Sequence, residues 1–427
     1  MSICGLDFGT SNSTVSLLND SNVQMVPLEQ NPLSGQMETT LPSALFFDFE
    51  DDTISFGREA IAQYTDGDFG RLMRSMKNIL GSSNMAEGTQ VKATMYSFDD
   101  IIRFFIQSLK ERTEAFAGYE VSSVVLGRPV HFNDDDAALD AEAESRLAAI
   151  AKSIGFKDVS FQFEPIAAAY DYEQQIRGEE LALIIDMGGG TSDFTLMRLS
   201  PEQRGKADRT ADILGHHGIH IGGTDFDRHL SLQTVMPHLG LGTPYKDKPN
   251  LTMPRHYYVD LATWHVIHRL YEPKVLRDIA ELTLQAKDSL ALKRMADVLK
   301  NKQGHRLAGL VEHAKIELSD SPDYFIDLGF IESASAGLAH LPVTQLNLEQ
   351  AVHSDVERVI QAAEESLTLA GLKKQQVTTL FTTGGSTALP VVQKRVRETF
   401  PNANLVAGDL FNSVGAGLVL EAQRRYC

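Results

Sequence analysis

One pattern constrains the fold before any other: a segment near the N-terminus returns further along the chain. Gly5-Leu6-Asp7-Phe8-Gly9-Thr10-Ser11-Asn12-Ser13-Thr14-Val15-Ser16-Leu17 and Ile184-Ile185-Asp186-Met187-Gly188-Gly189-Gly190-Thr191-Ser192-Asp193-Phe194-Thr195-Leu196 superpose with a shift of 179 positions, which sets Asp7 on Asp186, Gly9 on Gly188, Ser13 on Ser192 and Leu17 on Leu196. Each copy is an apolar run, an Asp, a turn of Gly and hydroxyl residues, and a second apolar run. Each reads as a β-hairpin whose tip exposes backbone N–H groups. Two such tips can grip a polyphosphate from opposite sides, so a nucleotide clamped between two related lobes is expected.

Taken alone, Asp7-Phe8-Gly9-Thr10 is ordinary turn chemistry. Gly188-Gly189-Gly190 ahead of Thr191 is more demanding, because three glycines let the backbone approach a ligand closely and present a nest of N–H donors. The pairing of the two tips decides for phosphate. Mg²⁺ keeps several waters and is usually held by one or two carboxylates plus phosphate oxygens; Asp7 and Asp186, one from each copy, suit that duty. Thr10, Ser11 and Thr191 supply hydroxyl and N–H groups. Gly222-Gly223-Thr224-Asp225-Phe226-Asp227 sets a glycine pair ahead of a helix, whose N-terminus favours an anion. Thr383-Gly384-Gly385-Ser386 repeats that logic and is expected against the nucleoside. Glu164, opening the Ala-rich run Glu164-Pro165-Ile166-Ala167-Ala168-Ala169, is by itself a helix-dipole partner.

Composition bounds the rest. A chain of 427 residues exceeds one ordinary core, so two or more domains are expected, and 43% hydrophobic with 22% charged residues is the balance of a soluble globular protein. No apolar stretch is long enough to span a bilayer, and no secretory leader opens the chain, so a cytoplasmic protein is expected. Cys4 and Cys427 make neither a disulfide framework nor a zinc site. The net charge of −18 argues against nucleic acid as a partner, but not against a nucleotide, which needs only local N–H groups, a lysine and a metal. His216, His217 and His220, and His265 with His268, show no third metal ligand nearby, so structural roles are expected for them.

Along the chain, strands are expected at Leu45–Phe47, Val121–Leu126 and Thr378–Phe381, and a strand pair at Asp208–Thr224. Helices are expected at Ile101–Phe116, Ala137–Ile154 (capped by Asp134–Asp136), Leu348–Ala370, Pro390–Thr399 and Val414–Arg425, with a Pro/Gly-rich exit at Pro32–Gly35.

This order of motifs, over nearly the whole chain, resembles the ATPase domain of the DnaK-type (heat shock protein 70) chaperones and the wider actin and sugar-kinase superfamily. The resemblance implies an α/β, actin-like ATPase fold: two lobes of duplicated ribonuclease-H-like topology with a central nucleotide cleft. The first lobe would span about 1–183, with an inserted subdomain about 37–118 and a closing helix about 408–427, after Ala407, packing back onto it. The second would span about 184–407, with a helical subdomain about 228–341 that looks longer than the family's around Leu239–Gly304. Asp7, Gly9, Thr10, Ser11 and Asn12 resemble the first phosphate motif, and Asp186 to Asp193 the second. Ser75-Met76-Lys77-Asn78-Ile79-Leu80-Gly81 is similar to the segment bearing the catalytic lysine, which makes Lys77 the γ-phosphate lysine. Glu164 matches a carboxylate that positions the attacking water, and Asp193 a further acid. Glu312, Lys315 and Ser319 resemble the nucleoside-facing helix, with Gly384, Gly385 and Ser386 opposite.

The chain also departs from the family. Ile316 and Ala388 stand where two arginines sandwich the adenine, so guanidinium stacking is lost. Arg128-Pro129-Val130-His131-Phe132-Asn133 resembles the family's proline-centred switch, but the arginine expected eight residues after the proline is Ala137. The chain stops at Cys427, so a relative without a peptide-binding domain is expected. The implied activity is slow ATP hydrolysis with ATP/ADP and Mg²⁺ as cofactors, working as a switch with a client or co-chaperone-like partner. A small-molecule kinase of the superfamily and a filament-forming actin relative are the alternatives.

Overall fold

The computed structural model describes residues 2–19, 22–31, 34–80, 88–133, 136–173, 176–203, 206, 209–331, 338–406 and 413–427. Two five-strand runs organise it. The first sheet has the order Asp158–Phe163, Ser123–Arg128, Ile3–Phe8, Asn12–Asn19, Asn22–Met25, with Thr40–Pro42 added beside Asn12–Asn19; the second has Ile213–Ile219, Ser192–Leu199, Glu180–Met187, Thr379–Thr383, Asn404–Val406. Their directions match as well. Around each first hairpin strand, the hairpin partner and the strand beyond it are antiparallel, while the two strands on the other side are parallel. Even the register repeats: Asp7 lies opposite Thr14, and Asp186 opposite Asp193. The sequence repeat is thus a repeat of topology. Ile3–Phe8 and Glu180–Met187 are mostly buried, as expected of apolar runs at the centre of a sheet covered on both faces.

The expected helices form close to their expected limits. Phe98–Ala117 starts at a capping box of Ser97 and Asp100, and Gln345–Leu369 at one of Thr344 and Asn347, each satisfying N–H groups that the first helical turn cannot. Asp136 caps Ala137–Ser153; Asp134 and Asp135 lie outside the described residues, as do Pro32, Gly81 and Ala407. One expectation is corrected. The described part of Asp208–Thr224 holds a single strand, Ile213–Ile219, after a helical turn at Thr210–Asp212. Arg209 is buried in ion pairs with Glu173 and Asp212, which fastens that turn in place of a first strand.

Two helices tie the sheets together by exchange. Glu164–Glu173 follows the edge strand of the first sheet, yet Ile166 and Ala169 pack with Ile184, Met197, Leu199 and Phe381 of the second. Ser413–Tyr426 comes after the last strand of the second sheet, yet Val414, Leu418 and Ala422 pack with Ile3 and Val125 of the first. The helices cross at Gly417, where a Cβ would stand 2.1 Å from the Ala167 carbonyl oxygen. Backbone cannot yield as a side-chain tip can, so Gly417→Ala is expected to cost about 2–3 kcal/mol. Urea unfolding checks this; an unchanged midpoint would mean the crossing is loose.

Candidate functional site

The two hairpin tips meet. The Gly189 N–H donates to Ser11 Oγ at 3.0 Å, and a Cβ on Gly189 would lie 2.4 Å from that oxygen, so only glycine permits the contact. The first tip is braced by Ser43, whose hydroxyl donates to the Gly9 carbonyl at 2.6 Å and whose N–H reaches the Ser11 carbonyl at 2.8 Å. A Cβ on Gly9 would stand 2.1 Å from the Asn12 carbonyl. No sequence pattern singles out Ser43. The second tip closes through Gly188 N–H to the Thr191 carbonyl, and the glycine pair lies on it: Gly223 N–H donates to Gly188 O at 3.0 Å and Thr224 N–H to Gly189 O at 2.8 Å. A Cβ on Gly222 would come within 2.5 Å of Gly189, next to the Gly190 nitrogen. From the far side, Gly384 adopts φ +80°, with Met187 O 2.3 Å from where its Cβ would be; Gly385 follows it, and the Ser386 hydroxyl reaches Gly188 O at 3.3 Å. Four glycine-bearing turns thus converge because side chains are missing from each.

Beside the tips lies a knot of charge. Lys77, on a short helical turn Met76–Ile79, is paired with Glu164 at 2.5 Å, both nearly buried. Asp7 and Asp186 are half-buried at the ends of their strands. Burial, with Glu164 adding and Lys77 opposing, pushes the Asp7 carboxyl up to about 7. Burial, then Asp193 and Glu164, does the same to Asp186, also to about 7. Burial pulls the Lys77 ammonium down, but Glu164, Asp7 and Asp186 more than reverse this and hold it above its usual value. Asp193 is more open; Thr191 donates its hydroxyl to Asp193 Oδ2 at 3.0 Å, and His216 Nε2 stands 3.8 Å from Oδ1. Thus Asp7, Lys77, Glu164, Asp186 and Asp193 come together, as do Gly9, Ser11, Gly188–Thr191, Gly222, Gly223 and Gly384–Ser386. Thr10, in the first tip, is half-buried.

Other expected residues face inward. Asp225 accepts from the Gly222 N–H at 3.1 Å and pairs with Arg228 at 2.9 Å, so it caps its own helix, Gly223–Thr234. Lys315 is buried on helix Gly304–Glu317, with Nζ 2.8 Å from Asp227 Oδ1 and 3.2 Å from the Gly223 carbonyl. It fastens that helix to the glycine pair through Asp227, a partner the motif reading left without a role. On the same helix Glu312 is half-buried and Ile316 is 56% exposed, with Ser319 just past the end. Among the described residues, no group of three or more His, Cys, Asp and Glu forms a ready metal cage, the histidines included. None of the described helices is long and apolar enough to cross a membrane.

Comparison with protein families agrees with this arrangement. The family model described as Hsp70 protein matches residues 3–236 and 282–417. The stretch left out, 237–281, falls within the helical region expected to be longer than the family's.

Proposed function

The chain belongs to the Hsp70 family, which brings with it an actin-like ATPase fold and binding of ATP or ADP, and from that premise we propose that it is a Mg²⁺-dependent switch that hydrolyses ATP slowly in a cleft between two lobes built on the two sheets. The observation that carries the reading is the charge knot beside the joined tips: the carboxylates of Asp7, Glu164 and Asp186 act on one lysine, with Asp193 acting on Asp186. Half-buried carboxylates displaced upward to about 7, each raised further by neighbouring carboxylates, are a frustrated arrangement, which a divalent cation would relieve.

Asp7 and Asp186 would hold the hydrated cation, which would supply electrostatic stabilisation of the charge on the phosphates. N–H groups of the 9–12 and 188–191 tips other than those of Gly188 and Gly189, which are spent on the Thr191 carbonyl and Ser11 Oγ, would bind phosphate oxygens. Lys77 neutralises charge that develops on the transferred group, and Glu164 and Asp193 orient the attacking water. Glu312, Ser319 and Gly385 face the nucleoside, with Ile316 and Ala388 giving apolar contact in place of stacked guanidinium. Exchange of the crossing helices lets nucleotide state change the angle between the lobes, and a protein client or co-chaperone-like partner would read that change. The setting is cytoplasmic.

Calorimetric titration with ATP, with and without Mg²⁺, tests the reading. Saturable binding that weakens at least about tenfold when Mg²⁺ is chelated is expected. No binding at millimolar ATP would overturn it.

A further inference from the structure

His216 lies at the back of the charge knot, and no phosphate or metal duty accounts for it. It sits on Ile213–Ile219 directly opposite Thr195, so it shares a sheet face with Thr195 and with Asp193 two residues earlier. Its side chain is buried, while Asp193 is partly open to the site. Nδ1 lies 3.1 Å from Thr195 Oγ1, which fixes the ring plane and aims Nε2 at Asp193 Oδ1, 3.8 Å away. The other oxygen of Asp193 takes the Thr191 hydroxyl at 3.0 Å. The His131 and His216 rings pack edge to face, with centroids 5.6 Å apart. A cavity of about 30 Å³ lies among Glu164, Asp186, Asp193, Thr195 and His216, large enough for one ordered water.

We propose that His216 is a positioning residue for turnover, holding Asp193 through the Thr195-anchored ring so that its carboxylate faces the water site shared with Glu164. The proposal rests on the hydrolytic reading above. The carboxylate is bracketed by Thr191 on one oxygen and by the His216 edge on the other. Removing the edge takes away one of the contacts that orient the carboxylate toward the water, and a misplacement of about 1 Å at a reacting group costs on the order of 10²-fold. Nucleotide binding depends on the backbone of the tips, so affinity stays.

Single-turnover hydrolysis and the ADP dissociation constant, both with Mg²⁺, are measured for wild type, His216→Leu and His216→Gln. His216→Leu is expected to lose on the order of 10²-fold in rate with affinity changed less than about twofold. His216→Gln, whose amide nitrogen can stand where Nε2 stood, is expected to recover most of the rate. Full rate in His216→Leu would overturn the proposal, as would parallel loss of affinity and rate in both variants, or no recovery in His216→Gln. Wild type that binds no nucleotide would instead sink the hydrolytic reading itself.

Discussion

Lys77→Ala is expected to lower single-turnover ATP hydrolysis by about 10²–10³-fold, because the variant loses the side-chain cation proposed to meet the charge that develops on the transferred group. Lys77 is the lysine on which Asp7, Glu164 and Asp186 all act, and its ion pair with Glu164 holds the ammonium in the charge knot. Nucleotide binding is expected to survive, since the tips supply their N–H groups independently. The variant also leaves three carboxylates without their shared partner, which costs on the order of 3 kcal/mol of stability. Adding Glu164→Gln separates the two effects: it restores part of the stability and none of the hydrolysis. A Lys77→Ala protein that hydrolyses bound ATP at the wild-type rate would remove Lys77 from the mechanism.

The parts of this site that the sequence announced are those built from local pattern. An Asp, a glycine turn and two flanking apolar runs suffice to mark a hairpin with exposed N–H groups, and their repetition foretold two sheets of one topology. Helices with caps and regular apolar spacing, such as Gln345–Leu369, were equally legible. Lys77 was not, because a lysine on a short helical turn has no signature of its own; only the family resemblance singled it out. Lys315 was expected to face the nucleoside, but its burial depends on Asp227 from another helix, and no spacing within Gly304–Glu317 reveals that. The resemblance led to the expectation that a closing helix about 408–427 packs back onto the first lobe, but the packing of Glu164–Glu173 against the second sheet was hidden. Glu164–Glu173 and Ser413–Tyr426 are rich in small residues, which permit a close crossing without saying what is crossed. His216 and Thr195 find each other only through strand register, a property of two segments rather than one.

The same long-range logic makes His305 a pH-sensitive weak point. Helix Gly57–Asp66 brings Tyr64 to His305, at the start of helix Gly304–Glu317, which also carries Lys315 and Glu312. His305 Nε2 lies 3.1 Å from the Trp264 carbonyl, which can only accept, so the ring donates there. Tyr64 Oη is 3.0 Å from the same nitrogen, the rings of Tyr64, Trp264 and Tyr271 surround the imidazole, and Arg74 lies over Trp264. Burial, with His268 and Arg74 nearby, lowers the His305 pKa to about 4 from an ordinary 6.5. A lowered folded-state value means the unfolded chain takes up the proton first. The stability contributed by neutral His305 is therefore fully present above about 6.5 and is lost as pH falls from there toward 4. The shift corresponds to at most about 3 kcal/mol. His305→Gln can keep the donation to Trp264 without titrating, so the difference in unfolding free energy between wild type and variant is expected to shrink as pH drops from 7 to 4.5. Because other carboxyl groups titrate in both proteins, the difference isolates this histidine. Urea unfolding curves that stay parallel across that range would show that His305 is not held neutral by its ring of aromatic neighbours.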